Sequence, residues 1–110
     1  MELFHGSNKN TTLTPHIGIC LTDSESSAEA YAGGNENQVY TIDIDLSGLT
    51  IADMDDGYDR ENDIAPGDDA DDITEMQNDG IDVITYTDED EFGRQHDCWR
   101  IISALALSRF

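Results

Sequence analysis

The stretch Gln38–Leu46 shows the clearest alternation of apolar and polar positions in the chain. Tyr40, Ile42, Ile44 and Leu46 fall on one side of a period-two repeat, and mostly polar residues lie between them. Strict alternation with β-branched residues is typical of a strand that buries one face and exposes the other. The pattern therefore predicts a half-buried strand.

The N-terminal part of the chain predicts two further strands and a helix. Short apolar-rich runs at 2–5 and 17–22 are each expected to form a strand. Thr22 and Glu25 have the spacing of a capping box, which predicts a helix that is capped by Thr22 and runs to about Ala32. The glycines at 33 and 34 are expected to end it.

The C-terminal part predicts two strands joined by an acidic loop. Residues 81–86 alternate as a strand, 88–95 form the loop, and 98–102 form the last strand, followed by an apolar tail. A chain of 110 residues has the size of one domain. We therefore expect a single domain over residues 1–110, of the α+β class and rich in strands.

The segment between Asp53 and Asp79 differs from the rest of the chain. It holds twelve carboxylates and one base, Arg60. Like charges this dense oppose compact packing, so we expect a solvated acidic insertion over about 53–79, with a short helix near 71–77. The acids do not follow the spacing of a calcium-binding EF-hand loop, and no metal site is expected.

The net charge narrows the choice of partners. A formal charge of −20 repels nucleic acid and acidic membrane surfaces and attracts basic partners. The same acidity also suits a protein from a salt-rich cytoplasm, or simply keeps a small protein soluble. No apolar run is long enough to span a bilayer and no signal peptide is recognisable, so we expect a soluble cytoplasmic protein.

Several well-known catalytic arrangements are not found in the sequence. His5, His16 and His96 are scattered, no serine lies in a nucleophile elbow, and no phosphate-binding glycine loop occurs. Five basic residues are too few for a groove that follows nucleic-acid phosphates. Cys20 and Cys98 lack zinc-ligand spacing and are expected to be buried free thiols, with a single disulfide as the alternative.

Several short segments form an ordered series over nearly the whole chain. They are Phe4-His5-Gly6-Ser7, Gly18–Thr22, Ala28–Ala32, Val39–Ile42, Gly80–Tyr86 and Cys98–Ile102. In this order they resemble the ADP-ribosyltransferase superfamily of the His–Tyr–Glu kind, which includes the poly-ADP-ribose polymerase and diphtheria-toxin catalytic domains. Residues 1–7 and 89–93 resemble in particular the phage anti-CRISPR ADP-ribosyltransferases.

This resemblance implies a small split β-sheet fold with few helices, and NAD as the co-substrate. His5 would hold the adenosine ribose, the Gly6 backbone would bind the nicotinamide amide, and Tyr31 would stack on the nicotinamide ring. Ser7 and Thr22 complete the implied NAD-binding set, and Tyr31 also counts as catalytic. The alternative is structural: His5 as an ordinary strand-end histidine and Tyr31 as a core residue.

The catalytic acid is where the sequence departs from this family. Cys98 stands in place of the usual Glu before the aromatic residue of the last strand, and Asp97 would point to the opposite face. A carboxylate is needed to bind the ribose hydroxyl and to stabilise developing positive charge. We assign this role to Asp90, with Glu89 and Asp88 as reserves.

The expected function is mono-ADP-ribosyl transfer from NAD to a macromolecular target, as in a phage-type inhibitor of host CRISPR defence. The partner would be a protein or ribonucleoprotein with a basic surface, such as a CRISPR surveillance complex, in the host cytoplasm. The alternative is a catalytically silent acidic protein that mimics nucleic acid and blocks a basic groove of its partner. A third interpretation is an acidic domain from a salt-loving organism with ordinary NAD chemistry.

Overall fold

The computed structural model describes residues 1–6, 15–32, 39–89 and 93–110. Within these ranges the strands are β1 (Glu2–Gly6), β2 (Cys20–Thr22), β3 (Val39–Asp43), β4 (Ile51–Asp53), β5 (Val83–Glu89) and β6 (Gln95–Ile101). The helices are α1 (Glu25–Tyr31), α2 (Ala70–Asn78) and α3 (Ala104–Leu107), with one 3₁₀ turn at Asp55–Gly57. The α+β class predicted from the sequence is confirmed.

All six strands belong to one sheet with the order β3-β1-β2-β6-β5-β4. Neighbouring strands are antiparallel except β4 and β5, which run parallel. β1 and β2 share a single register pair, Phe4 with Thr22, whereas β5 and β6 pair along their whole length. The resemblance implied a split sheet. The six strands instead form one hydrogen-bonded sheet, in which β1 and β2 meet only at a narrow join.

The hydrophobic core is divided between the two faces of this sheet. The face covered by α3, called the α3 face, buries Leu3, Leu21, Ile42, Val83, Ile101 and Ala106. The face covered by α2, called the α2 face, buries Ile84, Tyr86, Cys98 and Met76. Because side chains alternate along each strand, the central strands contribute to both clusters.

Gly6 fixes how closely α1 approaches the sheet. A Cβ atom built on Gly6 would lie 1.8 Å from the carbonyl oxygen of Ala28, so only glycine permits this contact. Gly6 and Phe4 lie on the same side of β1, and the register partner of Phe4 is Thr22, which pairs in turn with Cys98. α1 therefore packs on the α2 face.

α1 begins two residues later than the sequence predicted. Its N-cap is Ser24, whose hydroxyl accepts a hydrogen bond from the amide of Ser27 at 3.1 Å. Thr22 instead accepts from the amide of Ser24 at 3.1 Å and bonds His96 of β6. The prediction of Thr22 as the cap was wrong because its hydroxyl makes a tertiary contact that the sequence does not reveal.

The acidic segment contains more regular structure than a loop with one helix. β4 adds a parallel edge strand beside β5, and α2 lies close to the predicted 71–77. β4 was missed because three residues are too few to show alternation. All twelve acids except Asp55 are exposed, and Asp69 caps α2 by accepting from the amide of Asp71 at 2.9 Å. Solvent and a helix N-terminus thus accommodate the dense negative charge.

The C-terminal strands are longer than predicted. β5 extends to Glu89, and β6 begins at Gln95, three residues before the predicted start. The apolar tail forms α3, which Ser103 caps by accepting from the amide of Ala106. In the described ranges, no helix has the length and apolar character needed to cross a membrane.

Candidate functional site

A polar cluster lies on the α2 face where β2, β6 and α1 meet. Its centre is His96, which is 5% exposed and has both ring nitrogens in hydrogen bonds. Nδ1 lies 2.8 Å from the hydroxyl oxygen of Thr22, and Nε2 lies 2.9 Å from that of Tyr31. One imidazole therefore joins two strands and a helix.

Tyr31 is held at its hydroxyl end and keeps much of its ring in solvent. The ring meets His96 edge to face, with centroids 5.6 Å apart and planes at 73°. The residue is nevertheless 40% exposed, so ring surface is available for stacking with a flat ligand. Tyr31 is thus an oriented aromatic side chain at the surface and not the core residue of the structural alternative.

His96 does not stand out in the sequence, where the three histidines are scattered. The available signal was its distance of two residues from Cys98. Strand alternation places residues two apart on one face, so both belong beside Thr22 once β6 is paired with β2. That pairing joins segments more than seventy residues apart, and no local pattern predicts it.

The other predicted NAD-binding residues lie near the join between β1 and β2. Nδ1 of His5 is 2.9 Å from the carbonyl oxygen of Cys20, so this side chain spans the two strands. Alternation places His5 on the α3 face and Gly6 on the α2 face, where Thr22 also lies. Ser7 lies outside the described residues.

The candidate acids occupy different sides of the sheet. Asp88 is the register partner of His96, so their side chains are neighbours on the α2 face. Glu89 is exposed at the end of β5 and alternates onto the opposite face. Asp97 is exposed and faces away from His96, as predicted, and Asp90 lies outside the described residues.

Asp88 accepts hydrogen bonds from two directions. The hydroxyl of Tyr58 donates to it at 3.0 Å, and the amide of Glu89 donates at 2.8 Å. Burial, together with the hydrogen bond to Asp88, raises the pKa of the Tyr58 phenol, which therefore remains a donor at neutral pH. The guanidinium of Arg60 lies 4.4 Å from the centre of the Tyr58 ring, in a cation–π contact.

Two thiols complete the cluster. Cys20 and Cys98 are free, as predicted, but only Cys98 is fully buried. The Cys20 sulfur lies 3.2 Å from the hydroxyl of Tyr86, and the Cys98 sulfur lies 3.6 Å from Nδ1 of His96. Over the ranges that the structure describes, no set of three or more His, Cys, Asp or Glu side chains is arranged to hold a metal ion.

Comparison with known proteins gives no match. No protein-family model matches the chain, and neither a curated protein nor a solved structure does. The assignment of function therefore rests on the sequence segments quoted above and on the positions of their side chains in this fold.

Proposed function

We propose that the protein is a NAD-dependent mono-ADP-ribosyltransferase with an ADP-ribosyltransferase-like fold. The observation that supports this most strongly is the meeting of Thr22 and Tyr31 at His96. The family resemblance assigns both residues to NAD, yet they come from different elements of the fold. A shared, buried partner gives them a fixed relative position.

Transfer of ADP-ribose breaks the glycosidic bond of NAD. Nicotinamide leaves and positive charge develops on the ribose, so the site needs a surface that orients the flat ring and a carboxylate near the ribose. Tyr31 supplies the surface, with its direction set by His96. Asp90, which follows β5, supplies the carboxylate in our assignment, and Asp88 lies directly across from His96.

The target in this proposal is a macromolecule with a basic surface. The exposed acids of segment 53–79 give the enzyme a negative surface that attracts such a partner over a distance set by salt. A ribonucleoprotein such as a CRISPR surveillance complex has the required chemistry. Modification of that complex would make the protein a phage-type inhibitor of host defence, active in the host cytoplasm.

Replacing Tyr31 with alanine should weaken NAD binding by about 1–3 kcal/mol, because the variant loses an aromatic contact and its buried area. Isothermal titration of NAD into both proteins measures the difference. Tyr31→Phe is the matched control: it keeps the ring and removes only the hydroxyl that bonds His96. Its loss should be smaller than that of the alanine variant. A wild-type protein that gives no heat with millimolar NAD contradicts the proposal.

The second candidate is a non-catalytic mimic of nucleic acid, favoured by the exposure of nearly all acids in segment 53–79. The two functions differ in whether inhibition of the partner requires NAD. A gel-shift competition with the basic partner and its nucleic acid, run without NAD, should show no block if the protein is an enzyme. Complete inhibition of nucleic-acid binding in the reaction without NAD would contradict the transferase proposal. Inhibition that requires NAD would contradict the nucleic-acid mimic.

Neutralising four exposed acids, Asp56, Glu61, Asp72 and Glu75, to their amides should slow association with a basic partner and flatten its salt dependence. These positions avoid Asp68, which pairs with Arg100, and Asp69, which caps α2. Stopped-flow association at several salt concentrations measures the change. NAD binding serves as the control and should be unaltered. Equal rates for both proteins at every salt concentration would show that the acids only keep the protein soluble.

A further inference from the structure

Cys20 and Cys98 lie diagonally across the pairing of β2 with β6. Cys20 is in register with Arg100 and Thr22 with Cys98, so both cysteines are on the α2 face of neighbouring strands. Their side chains are therefore neighbours on that face. Neither sulfur has a part in the proposed NAD chemistry.

The two sulfurs have different environments. The hydrogen bond from the Cys98 thiol lowers the pKa of Cys20, and the Tyr86 hydroxyl and the positive charge of Arg100 act in the same direction, against burial and the negative charge of Asp88. The pKa of Cys98 is raised by its hydrogen bond to Cys20 and by burial. The thiolate therefore forms first on Cys20, which is also the more exposed of the two.

We propose that Cys20 and Cys98 form a redox modification site, at which a hydroperoxide converts the two thiols into a cross-strand disulfide. The proposal rests on the placement of the thiols and is independent of the proposed transferase activity. Cys20 is the sulfur that reacts with the oxidant, and Cys98 is the sulfur that resolves the product.

The reaction proceeds in two balanced steps. The Cys20 thiolate attacks the peroxide oxygen and breaks the O–O bond; with hydrogen peroxide the hydroxide that leaves takes up a proton as water, and Cys20 becomes a sulfenic acid. The Cys98 sulfur then attacks the Cys20 sulfur, the S–S bond forms, and the hydroxyl of the sulfenic acid leaves as a second water. The proton of Cys98 has an acceptor within reach in His96, 3.6 Å away. Two thiols are oxidised and one peroxide is reduced.

The diagonal placement predicts a disulfide that is readily reduced. Diagonal cross-strand neighbours are typically about 7–8 Å apart between Cα atoms, which is beyond the usual range of disulfide geometry. β2 or β6 must shift to close the bond, and the resulting strain favours reduction. β2 has only three residues and pairs with β1 at one position, so it is the strand with least resistance to such a shift.

Treating the folded protein with a small excess of hydrogen peroxide should remove the mass of two hydrogen atoms and leave no alkylatable thiol. Peptide mapping without reductant should recover Cys20 linked to Cys98, and dithiothreitol should restore both thiols. The rate should fall as pH falls through the lowered pKa of Cys20. Monomers that keep both thiols, or that acquire oxygen on sulfur without a linked peptide, would overturn the proposal, as would disulfide-linked dimers.

Two single variants separate the roles of the sulfurs. Cys98→Ser should give a Cys20 sulfenic acid that dimedone traps, whereas Cys20→Ser should leave Cys98 reduced under the same conditions. Tyr86→Phe keeps the ring and removes the hydroxyl at 3.2 Å from Cys20. We expect its first step to be about tenfold slower, because the loss of this hydrogen bond raises the pKa of the Cys20 thiol. Equal rates for Cys20 and Cys98 in the two serine variants would contradict the assignment.

Discussion

Replacing Gly6 with alanine should cost the protein about 3 kcal/mol or more of unfolding free energy. The new methyl group would lie 1.8 Å from the carbonyl oxygen of Ala28, and a backbone atom inside a helix has little freedom to move aside. The helix α1 must then lift from β1, which also separates Tyr31 from His96. Urea denaturation followed by circular dichroism measures the loss.

Gly57→Ala is the matched control for this experiment. A Cβ atom on Gly57 would meet only Pro66, at the ordinary contact distance of 3.9 Å. Its unfolding free energy should stay within about 0.5 kcal/mol of the wild type, as for most surface substitutions. If both variants unfold at the same urea concentration as the wild type, α1 does not approach β1 as closely as the structure shows.

If the proposed transferase activity is correct, removing its catalytic carboxylate should lower the rate of ADP-ribosyl transfer by about 10²–10³-fold, the scale of one lost electrostatic group in a transition state. Asp90→Ala should show this loss with NAD affinity nearly unchanged, because the carboxylate acts mainly on the transition state. Transfer from labelled NAD to the target, read together with isothermal titration, measures both quantities. Glu89→Ala and Asp97→Ala should be mild, since the register places both on the face opposite His96.

Asp88 provides the sharper comparison in this series. Asp88→Asn keeps an oxygen that can accept from Tyr58 and removes only the charge. A large loss of transfer in Asp88→Asn with full activity in Asp90→Ala would move the catalytic role to the carboxylate across from His96. Full activity in all four variants would remove the support for a transferase.

The sequence predicted the elements whose signals are local. β3 follows from strict alternation, and α2 lies within one residue of the short helix expected near 71–77. β4 and α3 were missed, the first for its length and the second because a short apolar tail fits several structures. Strand order and register determine which side chains are neighbours in the sheet. Both depend on contacts between segments that are distant in sequence, so no local pattern predicts them.

In the candidate site, too, the residues with local sequence signals could be predicted and their contacts could not. Tyr31 and Thr22 could be proposed from ordered motifs, but their common partner His96 becomes visible only when β6 lies beside β2. For the Thr22 hydroxyl the local and tertiary signals disagree. Its spacing from Glu25 predicts a helix cap, but in the structure it forms a tertiary hydrogen bond with His96. Asp88 and Glu89 were expected in a loop but are the last two residues of β5, and only register distinguishes them.

The narrow join between β1 and β2 has a mechanical consequence. The ribbon of β3 and β1 is attached to the other four strands by one register pair, the His5 side chain, α1 packing and the shared core of the α3 face, whereas β5 and β6 are attached along seven pairs. The four strands β2, β6, β5 and β4 are thus the more rigid part of the sheet, and the β3–β1 ribbon is attached to them more loosely. Opening between β1 and β2 costs less than global unfolding. A ligand bound across β1 and β2 would bridge this join. Binding of such a ligand would stabilise the sheet where it has the fewest backbone hydrogen bonds between neighbouring strands.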